Sequence, residues 1–296
     1  MKNNLLKLEE EAISIIRETY SSSSNPTVLY SIGKDSSVLL HLFKKAFYPV
    51  KIPVPFLHID TGWKFKEMIK FRDKVFSEYG INGIVYQNQT GISEGVNPFD
   101  NPNYTDVMKT EALKKALTEH NFDFVYGGAR RDEEASRSKE KIVSYRDKFH
   151  RWDPKNQRIE PWLIFNTKKL KEDSFRVFPI SNWTEVNIWE YIEQEEIEIV
   201  PLYFSKKRKV VVNSNGIFLL DDDRFKVSKK DQIENLNIRF RTLGCYPLTS
   251  GTISNAKTIK DIILELSNSK YSERSGRLID KDVDGSMELK KQEGYF

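Results

Sequence analysis

The fold is decided by the stretch Thr27-Val28-Leu29-Tyr30-Ser31-Ile32-Gly33-Lys34-Asp35-Ser36-Ser37. An apolar run stands before its small-residue turn, and apolar residues recur at helical spacing from Leu39 to Phe47 after it, so the pattern predicts a strand, a tight turn and a helix. Small side chains let backbone N–H groups converge on an anion, and a helix start adds its positive dipole end. Lys34 adds a point charge. The stretch therefore predicts a phosphate-binding loop.

The loop is not the common P-loop, which needs Gly five residues before its Gly-Lys pair and Ser or Thr after it. Val28 and Asp35 occupy those positions. The remaining pattern, S-x-G-K-D-S, resembles the pyrophosphatase loop of the adenine nucleotide α-hydrolase family, whose members cleave ATP between its α- and β-phosphates. The alternative is an ordinary strand-to-helix turn with a solvated Lys and an Asp cap.

Composition narrows the class of protein. The 296 residues are 39% apolar and 30% charged, typical of a globular protein with a sizeable core. The 47 basic and 43 acidic residues nearly balance at +4, which argues against a dedicated nucleic-acid binder. A single cysteine, Cys245, excludes an internal disulfide, and four scattered histidines leave no zinc-ligand spacing. The charged segment 1–11 does not resemble a signal peptide and no apolar run approaches ~20 residues, so we expect a cytoplasmic protein without a membrane anchor.

Apolar runs and helical stripes alternate along the first two thirds of the chain. This alternation predicts an α/β fold, a parallel five-stranded sheet with helices on both faces. The predicted strands are 27–30, 54–59, 84–86, 122–126 and 176–179. We predict an ATP pyrophosphatase-loop domain over 1–200 and a C-terminal region over 201–296, which contains a hairpin at Asn215-Gly216 and a polar tail from Ser267. In the tail and hairpin region we expect contacts to a partner and to the active site.

Ligands of such sheets bind outside the carboxyl ends of the strands. Three predicted strands end at Ser31–Lys34, Asp60–Thr61 and Gly127–Arg131. We therefore expect these three segments to meet at one site.

Five further segments carry a more specific resemblance, and they extend over essentially the whole chain. They are 56–65 (FLHIDTGWKF), 127–134 (GGARRDEE), 149–158 (FHRWDPKNQR), 239–249 (RFRTLGCYPLT) and 286–291 (SMELKK). Together they resemble the family of bacterial sulfate adenylyltransferase small subunits, with departures at 159–162 and 206–215. The resemblance implies that ATP and sulfate form adenosine 5′-phosphosulfate and pyrophosphate. It also implies Mg²⁺ with the ATP and a separate large subunit that is a GTPase.

Sulfate is already an anion at neutral pH, so this reaction needs no general base. Its difficulty is the repulsion between sulfate and the ATP phosphates, and we expect catalysis by positioning and charge neutralisation. The predicted nucleotide-binding residues are Ser31, Gly33, Lys34, Asp35, Ser36, Ser37, Asp60, Thr61, Gly127 and Gly128. Lys34 is expected to stabilise the leaving pyrophosphate. Asp35 either orients the water ligands of Mg²⁺ or caps the helix.

Arginine is the residue that binds oxyanions at two points at once. Arg130 and Arg131 follow two glycines at a strand end and are predicted to be catalytic, as ligands of sulfate or the α-phosphate. In an alternative role, one of the pair forms a salt bridge with Asp132 or Glu133. Further candidate sulfate ligands are Arg137, Arg151 and Arg241.

Other functions share the phosphate loop. A phosphoadenylylsulfate or adenylylsulfate reductase would need a nucleophilic cysteine near a mobile C-terminus, whereas Cys245 precedes the tail and is expected to be a small buried apolar residue. A tRNA-thiolating enzyme would need a pair of cysteines and a basic RNA-binding face. A non-catalytic scaffold for the GTPase is the last alternative.

Overall fold

The computed structural model of the protein describes residues 2–267 and Lys291. The strands of its main sheet are β1 (Pro26–Leu29), β2 (Phe56–Ile59), β3 (Gly83–Tyr86), β4 (Phe124–Tyr126), β5 (Val143–Arg146) and β6 (Ser174–Val177). They lie in the order β3-β2-β1-β4-β6-β5. All neighbours are parallel except β5 and β6.

The five predicted parallel strands are confirmed, each within two or three residues of its predicted bounds. The sixth strand, β5, was not predicted from the sequence. It pairs antiparallel with β6, with Val143 opposite Val177 and Arg146 opposite Ser174. Arg146 is 1% exposed, so a charged residue lies in the interior of an edge strand that shows little apolar alternation.

Helices cover both faces of the main sheet, as predicted. They are α1 (Lys2–Ser21), α2 (Lys34–Phe47), α3 (Lys66–Glu78), α4 (Gln89–Ser93), α5 (Ala112–Glu119), α6 (Ala135–Ser138), α7 (Glu185–Gln194) and α8 (Ile259–Ser267). A π-helical segment, Asp106–Glu111, runs directly into α5. None of the helices within residues 2–267 combines the length and the apolarity needed to cross a bilayer.

The hydrophobic core explains the position of the phosphate loop. Leu39 and Phe43 of α2 are fully buried with Val28 of β1 in a large core that also contains α1, α3 and α7. Burial of one such side chain contributes about 1.5–3 kcal/mol. A smaller core on the other face joins Leu57 of β2 to Leu117 of α5. The start of α2 is thereby held against the ends of the central strands.

A second, antiparallel sheet follows in the C-terminal part. Its strands are β7 (Lys206–Asn213), β8 (Gly216–Leu219), β9 (Gln232–Arg239) and β10 (Thr252–Ile253), in the order β10-β9-β7-β8. The predicted hairpin is present, with Asn213 paired to Gly216, while β9 and β10 were not predicted. Val210 and Ile238 of this sheet belong to the same large core as α2. The division at residues 200 and 201 into two domains stays a prediction.

The C-terminal tail is described at one residue. The predicted polar tail after Ser267 and the segment 286–291 lie outside the described residues except for Lys291. Lys291 is fully buried, and its Nζ lies 2.9 Å from Oε2 of Glu140. Its carbonyl accepts a hydrogen bond from the Trp152 backbone N–H at 3.3 Å. Lys291 therefore packs against the segment around β5.

Candidate active site

A cavity of about 230 Å³ lies beside the carboxyl ends of β1, β2 and β4. The loop after β1 contributes Ser31 and Gly33, the end of β2 contributes Ile59, and the segment after β4 contributes Gly128. Residues from 242–249 also line it. The cavity is therefore built by both the parallel-sheet part and the C-terminal part of the chain.

The turn between β1 and α2 has an unusual backbone. Ile32 is fully buried and has φ +65°, in the left-handed region. For a β-branched residue this is a genuine outlier, and such a conformation costs about 1–3 kcal/mol unless the surroundings enforce it. Here Ser36 Oγ donates to the Gly33 carbonyl oxygen at 2.9 Å, and the Lys34 backbone N–H donates to the Tyr203 hydroxyl oxygen at 2.8 Å. These contacts fix the turn at the start of α2.

Asp35 lies between two cations at the start of α2. Its Oδ2 is 3.0 Å from Lys34 Nζ, and its Oδ1 is 2.6 Å from Arg130 Nε. Burial alone would raise the pKa of Asp35, but the charges of Lys34 and Arg130 outweigh it and hold that pKa well below its usual range. The carboxylate is therefore ionised at neutral pH and ties the segment after β4 to α2.

The cavity is positively charged. Among the described residues its lining contains four cationic side chains, those of Lys34, Lys64, Lys109 and Arg137. The lining contains two acidic side chains, those of Asp35 and Glu133. Four cationic side chains against two acidic ones leave an excess of positive charge, which favours an anionic ligand.

Arg130 and Arg131 are outside the cavity lining that the described residues form. The Arg130 side chain is fully buried behind Asp35, and its Nη1 lies 3.5 Å from Asp132. The alternative role, a salt bridge to Asp132, is thus the arrangement that the structure has for Arg130. Arg131 turns away, and its Nη1 donates to Asn182 Oδ1 at 2.5 Å. Arg130 contacts the phosphate loop through Asp35, whereas Arg131 contacts the segment before α7.

The three other arginine candidates occupy different places. Arg137 lines the cavity and lies 3.2 Å from Glu133. Arg151 is half exposed and bound to Asp147 at 2.8 Å. Arg241 is bound to Glu185 at 2.7 Å. Of the five arginines named from the sequence, Arg137 is the one whose side chain contributes to the cavity as the described residues form it.

Three predicted nucleotide-binding residues support the site from behind the lining. Asp60 Oδ1 accepts from the Gly62 N–H at 2.8 Å, which is the turn-capping role. Gly127 continues the sheet by donating to the Val177 carbonyl at 2.9 Å. Ser37 is buried, and its N–H donates to the Gly33 carbonyl at 3.0 Å within α2.

Gly128 explains how closely the segment after β4 approaches α2. A Cβ added at Gly128 would lie 3.1 Å from the Asp35 carbonyl carbon and Cβ. Such contacts are tighter than most real Cβ contacts and involve backbone that cannot move aside. Glycine at this position lets β4 and α2 share the wall of the cavity.

Lys64, Lys109 and Tyr203 are among the lining residues that sequence reasoning missed. Lys64 follows the segment Asp60–Trp63 and could have been found from that motif. Lys109 lies in the π-helical segment, a kind of helix distortion that is frequent at functional sites. Tyr203 follows Pro201 in a short 3₁₀ turn and has no local signal, because only the tertiary fold brings it to Lys34.

Cys245 also differs from the expectation of a buried apolar residue. It is partly exposed and lines the cavity. Its Sγ lies 3.2 Å from Thr61 Oγ1 and accepts from the Tyr104 hydroxyl at 3.3 Å. Thr61, a predicted nucleotide-binding residue, is thus buried beneath the thiol.

The described residues hold no preformed set of protein ligands for a magnesium ion. Asp35, the predicted metal residue, has each carboxylate oxygen bound to a cation. Over residues 2–267, no three His, Cys, Asp or Glu side chains are grouped as metal ligands. Mg²⁺ prefers carboxylates, water and substrate phosphates, so the lining offers it no ready set of protein ligands.

Comparisons with known proteins agree with this architecture. Residues 25–251 match the family model described as phosphoadenosine phosphosulfate reductase domain. A sulfate adenylyltransferase subunit 2 from Acinetobacter baumannii strain AYE is 56% identical over 295 residues, which cover 99% of this chain and 97% of the relative. The subunit 2 from Aliivibrio fischeri strain MJ11 is 55% identical, over 99% of this chain and 98% of the relative.

A solved structure shares the fold at low sequence identity. The FMN adenylyltransferase of Candida glabrata, in complex with FMN and the ATP analogue AMPCPP, has a TM-score of 0.52 at 16% identity, over 93% of this chain and 90% of that chain. This likeness concerns the fold alone. The full-length relatives settle the family: the chain belongs to the sulfate adenylyltransferase subunit 2 family, within the phosphoadenosine phosphosulfate reductase domain family.

Proposed function

We propose that this protein transfers the adenylyl group of ATP to sulfate, forming adenosine 5′-phosphosulfate and pyrophosphate. The observation that carries the proposal is the cavity at the strand ends, where Lys34, Lys64, Lys109 and Arg137 outnumber the acidic side chains. Two mutually repelling anions can meet only where such charges offset their repulsion. The names of the full-length relatives support the same reaction.

In the proposed mechanism a sulfate oxygen attacks the α-phosphorus, and the bond from that phosphorus to the bridging oxygen of the β-phosphate breaks. Pyrophosphate leaves in line and takes the electron pair of the broken bond. No proton has to be removed from the nucleophile, so the residues act by holding the reactants and offsetting charge. The turn from Ser31 to Ser36 is proposed to bind the pyrophosphate half, with Lys34 beside the leaving group.

The sulfate is proposed to bind at the cationic side chains farther along the lining. Arg137 offers the planar donor pattern that suits a tetrahedral oxyanion, and Lys64 and Lys109 supply point charges. Arg130 is proposed to act as a positioning residue, because it holds Asp35 and through it Lys34. Arg131, Arg151 and Arg241 have no part in this mechanism.

Magnesium is proposed to arrive with ATP as part of the substrate. Its ligands would then be phosphate oxygens and water, consistent with a lining that has few carboxylates. The chemistry that the ion supplies is partial neutralisation of the triphosphate charge.

The protein is further proposed to work with a large subunit that is a GTPase. The relatives are named as subunit 2, which supports a partner subunit. The GTPase identity rests on the sequence resemblance, and GTP hydrolysis would drive an otherwise unfavourable adenylylation.

The decisive experiment measures sulfate-dependent release of pyrophosphate from ATP by the complex with the large subunit. Lys34→Ala is expected to lower kcat by ~10²–10³, the usual loss when one charge-stabilising group is removed. Lys74→Ala is the matched control, because Lys74 is an exposed lysine paired with Glu198. Near-normal turnover of Lys34→Ala would remove Lys34 from the mechanism, and pyrophosphate release that ignores sulfate would contradict the proposed reaction.

A further inference from the structure

His58 of β2 is a buried residue of the cavity lining. It has no role in the proposed mechanism. Its side chain is 1% exposed. Nδ1 lies 2.8 Å from the carbonyl oxygen of Tyr30, the residue that precedes the phosphate loop. Nε2 is buried and has no hydrogen-bond partner among the described residues. Buried polar atoms without a partner are rare in folded proteins, so this nitrogen calls for an explanation.

The first contact determines the protonation of the ring. A carbonyl oxygen can only accept, so Nδ1 carries the proton that is donated to Tyr30. Burial, with the charge of Lys64 next in importance, lowers the pKa of His58 to about 3, so the ring is neutral at neutral pH. In a neutral ring with its proton on Nδ1, Nε2 presents a lone pair. The atom left over is therefore a hydrogen-bond acceptor.

An acceptor is the wrong partner for phosphate or sulfate oxygens, which also accept. It suits a group that donates N–H or O–H, and in ATP such groups belong to the nucleoside half: the 6-amino group of adenine and the ribose hydroxyls. The position agrees, because the phosphate loop follows β1 and His58 lies on the neighbouring strand. Leu57 and Ile59, the neighbours of His58 in β2, also belong to the lining, so the site has the apolar surface that a nucleoside needs.

We infer that His58 Nε2 accepts a hydrogen bond from the nucleoside half of ATP and so contributes to the choice of nucleotide. This inference rests on the proposed ATP-binding function and deepens it. The Tyr30 carbonyl then holds the imidazole in the accepting tautomer. His58 would act by binding and selection, and no proton moves through it.

Two variants separate the acceptor from the rest of the side chain. In His58→Asn the amide NH₂ can take the place of Nδ1–H and donate to the Tyr30 carbonyl, but nothing replaces Nε2. In His58→Gln the amide reaches the position of Nε2 and its oxygen can accept. Binding is measured by calorimetry on the complex with the large subunit, with ATP, 2′-deoxy-ATP, 3′-deoxy-ATP and purine riboside triphosphate, which lacks the 6-amino group. Thermal unfolding of each variant checks that it is folded.

The wild-type complex is expected to prefer ATP over one of the three analogues by about fivefold to tenfold, the effect of one hydrogen bond. His58→Asn is expected to lose that preference, because it weakens ATP and the two analogues that keep the donor group but leaves the third analogue unchanged. His58→Gln is expected to keep most of the preference. A preference for ATP over purine riboside triphosphate would identify the 6-amino group as the donor. A preference over one of the deoxy analogues would identify the ribose hydroxyl that this analogue lacks. Equal weakening of all four nucleotides, or a preference that survives in a folded His58→Asn variant, would overturn the inference. Failure of the wild-type complex to bind ATP would instead contradict the proposed function.

Discussion

Asp35 shows how one charged residue can organise a site through the neighbours that it binds. Its two oxygens bind Lys34 and Arg130, at 3.0 Å and 2.6 Å, so one carboxylate aligns a cation of the phosphate loop and anchors a buried arginine. The sequence suggested a metal ligand or a helix cap for Asp35, and direct oxyanion binding for Arg130. A salt bridge to Asp132 or Glu133 was the alternative for one of the two arginines, and the ion pair between Asp35 and Arg130 was not predicted.

The first prediction concerns this pair. Asp35→Ala is expected to lower the free energy of unfolding by about 3 kcal/mol, because it removes the closest anion from the fully buried Arg130. The double variant Asp35→Ala, Arg130→Met is expected to be more stable than Asp35→Ala, since an apolar side chain then fills the space of the buried charge. Urea unfolding of the four proteins of the cycle measures both effects. A double variant less stable than either single variant would show that the pair is not coupled in this way.

The second prediction uses Cys245, which is the single cysteine of the chain and lines the cavity. Alkylation of its thiol is expected to slow in proportion to the occupancy of the site by ATP, because a bound nucleotide fills the space beside Sγ. Intact mass after timed treatment with iodoacetamide measures the rate. Cys245→Ser is the control for labelling elsewhere. A rate that ATP leaves unchanged at saturation would mean that the nucleotide binds away from this cavity.

At the scale of the elements, the sequence indicates the parallel strands well because each is an apolar run beside a helical stripe. The strand β5 shows the limit of this reasoning. Its Arg146 is buried because Glu140 binds it and Lys291 in turn binds Glu140, and a contact over 151 residues leaves no trace in the local pattern. The lining residue Tyr203 was missed for the same reason, because only the tertiary fold brings it to Lys34. Which side chains face a cavity depends on tertiary packing that the local sequence does not reveal.

The third prediction concerns Glu140, which precedes β5. Burial would raise the pKa of Glu140, but Arg146 and Lys291 lower it to about 2. Because its pKa is lowered in the fold, Glu140 takes up its proton at a higher pH in the unfolded chain than in the folded one. The stability that the ionised carboxylate contributes is therefore complete above pH ~4.5 and is lost as the pH falls through ~2. Glu140→Gln is expected to cost about 3–5 kcal/mol at pH 7, by leaving two buried cations without their anion.

Denaturant unfolding of the wild type and of Glu140→Gln between pH 7 and pH 2 measures this difference. The gap between the two proteins is expected to narrow as the pH falls below ~4.5. Glu172→Gln, a change of the same type at an exposed position, is expected to stay within about 0.5 kcal/mol of the wild type. Equal stability of Glu140→Gln and the wild type at pH 7, or a gap that does not vary with pH, would contradict the assignment.

At the scale of the whole molecule, the two sheets share one large core, in which Val210 and Ile238 of the second sheet belong with Phe43 of α2. Tyr203, which precedes β7, packs edge-to-face on Trp189 of α7, with their ring centroids 5.5 Å apart. The composition of the chain predicts a substantial core but not that it spans both sheets. The overall charge of +4 is equally uninformative about the site, where the cationic side chains are concentrated.

The fourth prediction follows from the shared core. Denaturant is expected to unfold both sheets in one transition, with the same midpoint by tryptophan fluorescence and by far-UV circular dichroism. Val210→Ala, a change in the second sheet, is expected to shift both curves together by about 1–3 kcal/mol of stability. Two separated transitions, or a shift confined to one probe, would support two independently folding domains divided near residue 200.

The hydrogen bond from the Lys34 N–H to the Tyr203 hydroxyl joins residues 169 positions apart in the chain. During synthesis on the ribosome, Lys34 emerges long before Tyr203, and the segment 242–249 emerges later still. A nascent chain therefore carries the turn after β1 for many seconds without the far wall of the cavity, given elongation at ~5–20 residues per second. A fragment that ends in this interval would contain the turn from Ser31 to Ser36 but no complete cavity.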